Sequence, residues 1–206
     1  MKKINFKNSR FVNTFVSLPL KGIHPTLPRF CFVGRSNVGK SSLINHLCDQ
    51  QRLAKVSGVP GKTQAINLFA VDEQIYLFDL PGYGFSETGK NLQNSWGKLM
   101  EGFLLEYRPH VLLLTDSRHP LFASDEQMMD WLHLHDMPYT LIATKADKLN
   151  TSSKHKKTVE IQKKFASPTL FYSVHSVEGK HSLLQNIQKI CQEQSALKES
   201  PQPALA

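Results

Sequence analysis

The run Gly34-Arg-Ser-Asn-Val-Gly39-Lys40-Ser41 has the spacing G-x-x-x-x-G-K-[ST], and residues of those types in that order can hold a phosphate chain. Glycines let successive backbone N–H groups turn inward around a β-phosphate, and a helix beginning at the loop adds its positive end. Lys40 would reach the β- and γ-phosphates, and Ser41 would offer a hydroxyl to Mg²⁺. Chance alone gives this pattern in on the order of one chain in a hundred of this length. Further along, Asp79-Leu80-Pro81-Gly82 fits D-x-x-G, in which the Asp orients a Mg²⁺-bound water and the Gly N–H meets the γ-phosphate. Between these two, Pro60-Gly61-Lys62-Thr63-Gln64 places one hydroxyl, Thr63, where a loop must close over the metal. Thr144-Lys145-Ala146-Asp147 matches [NT]-K-x-D. A carboxylate there accepts from guanine N1–H and the 2-amino group, two donors that adenine lacks, while the lysine stem lies along the base. A site built on such bonds rejects the wrong base by about four powers of ten. Ser173-Val174-His175 follows the last apolar segment, where main chain can close over guanine O6. Asp-x-x-Gly and a lone Lys-x-x-Asp are common by themselves; their order and spacing give them weight.

Positioning these residues requires a particular scaffold. The apolar segments 29–33, 65–71, 74–78, 110–114, 139–143 and 169–172 are of strand length and rich in β-formers, and they predict six strands. Amphipathic stretches at 41–51, 95–106, 124–135, 153–165 and 181–194 predict helices between them. The fold class is therefore α/β: a P-loop GTPase fold with a six-stranded, mostly parallel sheet and helices on both faces. One antiparallel edge strand is expected, because the segments flanking Asp72-Glu73 are too close for a crossover and must form a hairpin. Residues 29–196 form the nucleotide-binding domain. Residues 1–28 show no clear pattern and are read as an N-terminal extension packed on it, and the proline-containing 197–206 as a flexible tail.

Several of these segments carry a resemblance to one family. Gly34 to Leu43, Pro60-Gly-Lys-Thr-Gln64, Asp79-Leu-Pro-Gly-Tyr-Gly84, Thr115-Asp-Ser-Arg-His-Pro-Leu121 and Thr144-Lys-Ala-Asp-Lys-Leu149 resemble the EngB (YihA/YsxC) family of bacterial ribosome-biogenesis GTP-binding proteins, from about residue 10 to about 195. The resemblance implies contacts with GTP or GDP from Gly34, Arg35, Ser36, Asn37, Val38, Gly39, Lys40 and Ser41. It adds Gly61, Lys62, Thr63, Gln64 and Ala65, then Asp79, Leu80, Pro81 and Gly82, then Thr144, Lys145, Ala146 and Asp147, and last Ser173, Val174 and His175. Mg²⁺ would lie on Ser41 and Thr63, with Asp79 acting through water, and Lys40, Thr63 and Gly82 would serve catalysis. Val174 departs from the small residue usual there. The resemblance further implies a role in assembly of the large ribosomal subunit and a requirement for normal cell division and septation; a nucleotide-bound scaffold acting directly in division is the alternative.

Tyr83 stands where a Ras-like GTPase has the Gln that orients water, so slow intrinsic hydrolysis is expected. Asn37 is similar to the Asn that helps related GTPases hold K⁺; an ordinary turn-favouring Asn is the competing reading. The γ-phosphate and Mg²⁺ would order segments around 53–64 and 82–95. Arg118 and His119 lie near the site with structural and catalytic roles both open. The 206 residues are 40% hydrophobic and 20% charged, which suits one soluble domain. The three cysteines have no zinc-like spacing, and nothing signals export or a membrane anchor, so a cytoplasmic protein is expected. No heptad pattern suggests other than a monomer. The formal charge of +8 and the five lysines of Ser153 to Phe165 suit either a merely solvated surface or a polyanion, and it is together with the resemblance that they imply ribosomal RNA as partner.

Overall fold

The computed structural model describes residues 2–55, 65–83, 92–165 and 169–199. Its sheet contains strands β1 (Ser9–Phe15), β2 (Arg29–Gly34), β3 (Ile66–Val71), β4 (Ile75–Asp79), β5 (His110–Asp116), β6 (Tyr139–Thr144) and β7 (Thr169–Phe171), in the spatial order β1-β3-β4-β2-β5-β6-β7. Strands β4, β2, β5, β6 and β7 run parallel. Helices α1 (Lys40–Leu47), α2 (Leu92–Tyr107, interrupted at Gly97, which has φ 69° and ψ 149°), α3 (Ala123–Leu134), α4 (Thr151–Phe165) and α5 (Val177–Glu199) connect them. The central strands are apolar throughout because helices cover both of their faces. Alternation sorts their side chains: Cys31, Val33, Val111 and Leu113 meet α2, α3 and α4, whereas Phe30, Phe32, Leu112 and Leu114 meet α1 and α5. The thiols of Cys31, Cys48 and Cys191 are free and buried, and burial raises the pKa of each.

Two expectations need correction. The sheet has seven strands rather than six, and the hairpin is not at its edge. The hairpin itself forms as expected: Gln74 N–H donates to Val71 O across a two-residue turn in which Asp72 (φ 52°) and Glu73 (φ 48°) are both left-handed, the geometry that twisted antiparallel strands require. Outside it lies β1, antiparallel to β3, with a register shift between Phe11 and Asn13. An edge strand covered on one side only, with sequence Ser-Arg-Phe-Val-Asn-Thr-Phe, lacks the continuous apolar run that marks the central strands. The segment containing it wraps the edge, since Ile4 and Phe6 are buried on the α1/α5 face and Phe15 and Leu20 on the other. Leu20 N–H donates to the Tyr107 hydroxyl at 2.7 Å, and the Asp72 carboxylate accepts from Asn5 N at 3.1 Å and Asn8 Nδ2 at 3.0 Å. At the other end α5 continues to Glu199, beyond 196, and residues 200–206 lie outside the described residues.

The connection leaving β2 crosses to one face of the sheet and that leaving β5 to the other. In an open α/β sheet such a reversal opens a crevice at the carboxyl ends of the strands. Gly34, Asp79, Asp116 and Thr144 end β2, β4, β5 and β6 on that side, and Ser173 follows β7.

Candidate nucleotide-binding site

The loop 34–39 leaves β2 and turns into α1 through Asn37 (φ 63°) and Gly39 (φ 112°). Asn tolerates the left-handed region better than other side chains, and φ near 112° suits glycine alone. Gly39 is the N-cap residue of α1, whose first turn contains no acidic residue, so the helix's positive end faces the loop. Lys40 is buried, and its Nζ donates to Gly34 O at 3.0 Å and Arg35 O at 3.3 Å, curling over the loop that it would share with a phosphate. Burial lowers its pKa, and Asp79 works against that.

At the end of β4, Asp79 accepts from Ser41 Oγ at 3.1 Å through Oδ2, while Oδ1 is buried without a hydrogen-bond partner among the described residues. Burial pushes the Asp79 carboxyl up to about 6, with Lys40 and Ser41 opposing it. A buried carboxylate with one uncommitted oxygen beside a serine hydroxyl is a set of hard oxygen donors that fits Mg²⁺ directly or through water. Gly82 sits against the phosphate loop so tightly that a Cβ on it would lie 2.6 Å from Ser36 N and 2.7 Å from Ser36 Cα. Ser36 N–H donates to Tyr83 O at 3.1 Å and Tyr83 N–H to Gly34 O at 3.3 Å, so the D-x-x-G segment is zipped onto the loop. The Tyr83 ring is 1% exposed, and its hydroxyl donates to Asp125 Oδ1 at 2.8 Å beneath the start of α3. Burial raises both the phenol and the Asp125 carboxyl. Beside them the Arg35 guanidinium lies over the Phe122 ring at 3.7 Å.

On the other side of the loop, Thr144 Oγ1 lies 3.0 Å from Val38 O and 2.9 Å from Thr115 O, tying β6 to the phosphate loop and β5. Lys145 (φ 58°) directs its Nζ to Asp116 Oδ2 at 2.8 Å and Asn37 O at 3.5 Å. Ala146 opens a single 3-10 turn that carries Asp147, whose Oδ1 accepts from Ser173 Oγ at 2.6 Å. That bond, ahead of all other influences, holds the Asp147 carboxyl below its ordinary range. The same hydroxyl oxygen accepts from His175 N at 3.1 Å, so Ser173 organises both the Asp147 loop and its own. Val174 is 42% exposed.

The fold thus gathers 34–41, 79–82, 144–147 and 173–175 at one edge, with Ala65 just ahead of β3. Gly61, Lys62, Thr63 and Gln64 lie outside the described residues, as does most of the two segments expected to switch. Sequence reasoning missed Asp125 as the partner of Tyr83, the Ser173 hydroxyl as the partner of Asp147, and the role of Lys157. Lys157 is 6% exposed rather than part of a solvated lysine face. Its i, i+4 spacing to the buried Ile161 and Phe165 is the signal that could have shown this.

A sheet that delivers a phosphate loop, a metal-orienting aspartate and an Asp147-type loop to a single edge defines a P-loop GTPase. Agreement comes from the family model described as "50S ribosome-binding GTPase", which matches residues 29–145. The "Probable GTP-binding protein EngB" of Prosthecochloris aestuarii is 44% identical over 175 residues, covering 82% of this chain and 91% of that protein. The protein of the same name from Pelodictyon phaeoclathratiforme is 40% identical over 198 residues, covering 93% of this chain and 100% of its own. The chain belongs to the EngB family of GTP-binding proteins and is a GTPase. Among solved structures, a probable GTP-binding protein engB superposes with TM-score 0.63 at 22% identity, over 80% of this chain and 99% of that one. Era, in complex with MgGDPNP and nucleotides 1506–1542 of 16S ribosomal RNA, gives TM-score 0.59 at 20% identity, over 89% of this chain and 60% of that one; both likenesses concern the fold.

Proposed function

We propose that this GTPase is a slow, Mg²⁺-dependent switch acting in assembly of the large ribosomal subunit, and that normal cell division and septation depend on it. The observation that carries the switch reading is the seating of Gly82 and Tyr83 on the phosphate loop: the segment that would sense a γ-phosphate is in direct contact with the residues that would hold it. Lys40 would exchange its loop carbonyls for phosphate oxygens, and the Asp147 carboxylate, aimed by Ser173, would accept the guanine donors. Ser41, Thr63 and, through water, Asp79 would hold Mg²⁺, which neutralises charge on the β- and γ-phosphates. With the Tyr83 hydroxyl committed to Asp125, no side chain at that position orients water, and intrinsic hydrolysis is expected on the order of 10⁻⁴ per second or slower. Asn37, exposed in the phosphate loop, motivates a further expectation: K⁺ in place of Na⁺ should accelerate GTP hydrolysis, checked by phosphate release in the two chlorides at equal ionic strength. Equal rates would leave Asn37 as a residue chosen for its left-handed backbone.

Support for a ribosomal partner comes from the description of the matching family model, the net charge of +8 and the exposed Lys156 and Lys163 on α4. Lys157 leaves that set because its amine is spent inside the protein. We read the protein as a cytoplasmic monomer, and among the described residues no helix is long and apolar enough to cross a membrane. The test is sedimentation of ribosomal particles with a GTP analogue, GDP or no nucleotide, at low and high salt. Co-migration with large-subunit particles in the GTP state alone, weakened by salt and by Lys156→Ala with Lys163→Ala, is the expected result. Absence from every particle in every state would transfer the role to direct action in division, as a nucleotide-bound scaffold.

A further inference from the structure

Lys145 is held by a chain of contacts that begins on α4. Its partner Asp116 has both oxygens locked by Arg118: Nε donates to Oδ1 at 2.9 Å, a second guanidinium nitrogen to Oδ2 at 2.7 Å, and the Arg118 backbone N–H to Oδ1 at 3.1 Å. Burial pushes this carboxyl up, yet the hydrogen bonds from Arg118 and Lys145 hold it well below the carboxylate range. The loop carrying Asp116 and Arg118 is fastened from beneath, where Lys157 Nζ donates to His119 O at 2.7 Å. The nearest acid, Glu160 at 3.6 Å, is itself half exposed, so the carbonyl is the closer partner. On the inward stripe of a helix an apolar side chain would be simpler, and an ammonium there is tolerable only because its hydrogen bond is made.

We propose that Lys157 is a positioning residue for guanine-nucleotide binding: by fixing the 116–120 loop from α4, it sets Asp116 where it holds Lys145 along the base. The proposal rests on the assignment of Thr144–Asp147 as the base-binding loop. Because base contacts are common to GDP and GTP, loosening this chain speeds release of both nucleotides equally and leaves their affinity ratio alone. It also links α4, whose outer face carries the exposed lysines, to the tightness of nucleotide binding.

The experiment is stopped-flow release of fluorescent GDP and of a fluorescent GTP analogue from the full chain. Lys157→Met, similar in length and apolar, should speed release of both about tenfold, the order expected for losing one hydrogen bond to a charged group. Gln162→Met, exposed on the same helix, should stay within about twofold, the effect of a surface change. In an Asp116→Asn background Lys157→Met should add little, because both changes act through Lys145. Release from Lys157→Met within twofold of wild type, or effects of Lys157→Met and Asp116→Asn that multiply in full, would overturn the proposal. Should Lys157→Met fail to fold, Arg118→Ala at an exposed position serves instead: several-fold faster release of both nucleotides is expected, and unchanged release refutes the chain. Asp147→Asn separates the proposal from the assignment beneath it. If that variant changes base preference while Lys157→Met is silent, the proposal alone fails; if Asp147→Asn changes nothing, the base-binding assignment fails with it.

Discussion

Replacing Asp147 by Asn is expected to convert a guanine site into a xanthine site. Guanine presents two donors, N1–H and the 2-amino group, to two carboxylate oxygens; xanthine keeps N1–H but has an acceptor at C2. In Asp147→Asn the amide oxygen can still accept from Ser173 and from N1–H, while the amide nitrogen takes the Oδ2 position. There it opposes the 2-amino group of guanine donor to donor and pairs with the O2 of xanthine. The Ser173 hydroxyl, 2.6 Å from Oδ1, favours this orientation because it donates and so selects the amide oxygen. A site built for hydrogen bonds discriminates by about four powers of ten, and most of that preference should transfer. Competition of GDP and XDP for a fluorescent analogue measures it: GDP affinity should fall by about two to four powers of ten while XDP gains. Ser173→Ala should give a smaller, several-fold loss of GDP without XDP gain, because it disorients the carboxylate and leaves its chemistry intact. Unchanged preference in Asp147→Asn would place the base elsewhere.

How much could be read from the residues alone followed from where each lies. Strands β2, β5 and β6 are buried on both faces, so their unbroken apolar runs stand out, whereas β1 packs on one side at the edge and alternates too weakly to be seen. The hairpin at Asp72-Glu73 was visible because a connection of two residues admits nothing else, yet its place next to the edge depended on the unseen β1. In the site, phosphate-loop and Asp147 chemistry is local in the chain and therefore legible. Tyr83–Asp125 and Asp147–Ser173 join residues 42 and 26 positions apart, and no spacing rule announces such pairs. Lys157 is a different case: helical periodicity alone turns it inward with Ile161 and Phe165, whereas its charge alone points outward.

Gly82 carries the second large expectation, because the atoms it touches cannot move aside. In Gly82→Ala a methyl would meet Ser36 N at 2.6 Å, Ser36 Cα at 2.7 Å and Ser36 Oγ at 2.8 Å, the first two of them backbone of the phosphate loop. At Gly102 the atom in the way, Leu18 Cδ1 at 2.9 Å, is the tip of a flexible side chain, so Gly102→Ala should change stability little. In Gly82→Ala the 82–83 segment must instead lift away, giving up the Ser36–Tyr83 and Tyr83–Gly34 backbone bonds. It also draws the buried Tyr83 hydroxyl off Asp125. Each buried group left without its partner costs about 1–3 kcal/mol, so a loss of about 2–4 kcal/mol is expected, or roughly 5–15 °C in Tm for a domain of this size. GTP hydrolysis should fall at least about tenfold, since the Gly82 N–H would no longer be placed for the γ-phosphate. GDP affinity should change far less, because the Thr144–Asp147 loop meets the phosphate loop at Asn37 and Val38 rather than at Ser36, where Gly82 sits. Thermal melts, single-turnover hydrolysis and GDP titration together separate these effects. A Gly82→Ala protein that melts and hydrolyses like the wild type would mean that Gly82 and Ser36 part in solution, and the coupling between the γ-phosphate sensor and the phosphate loop would then have to run through other residues.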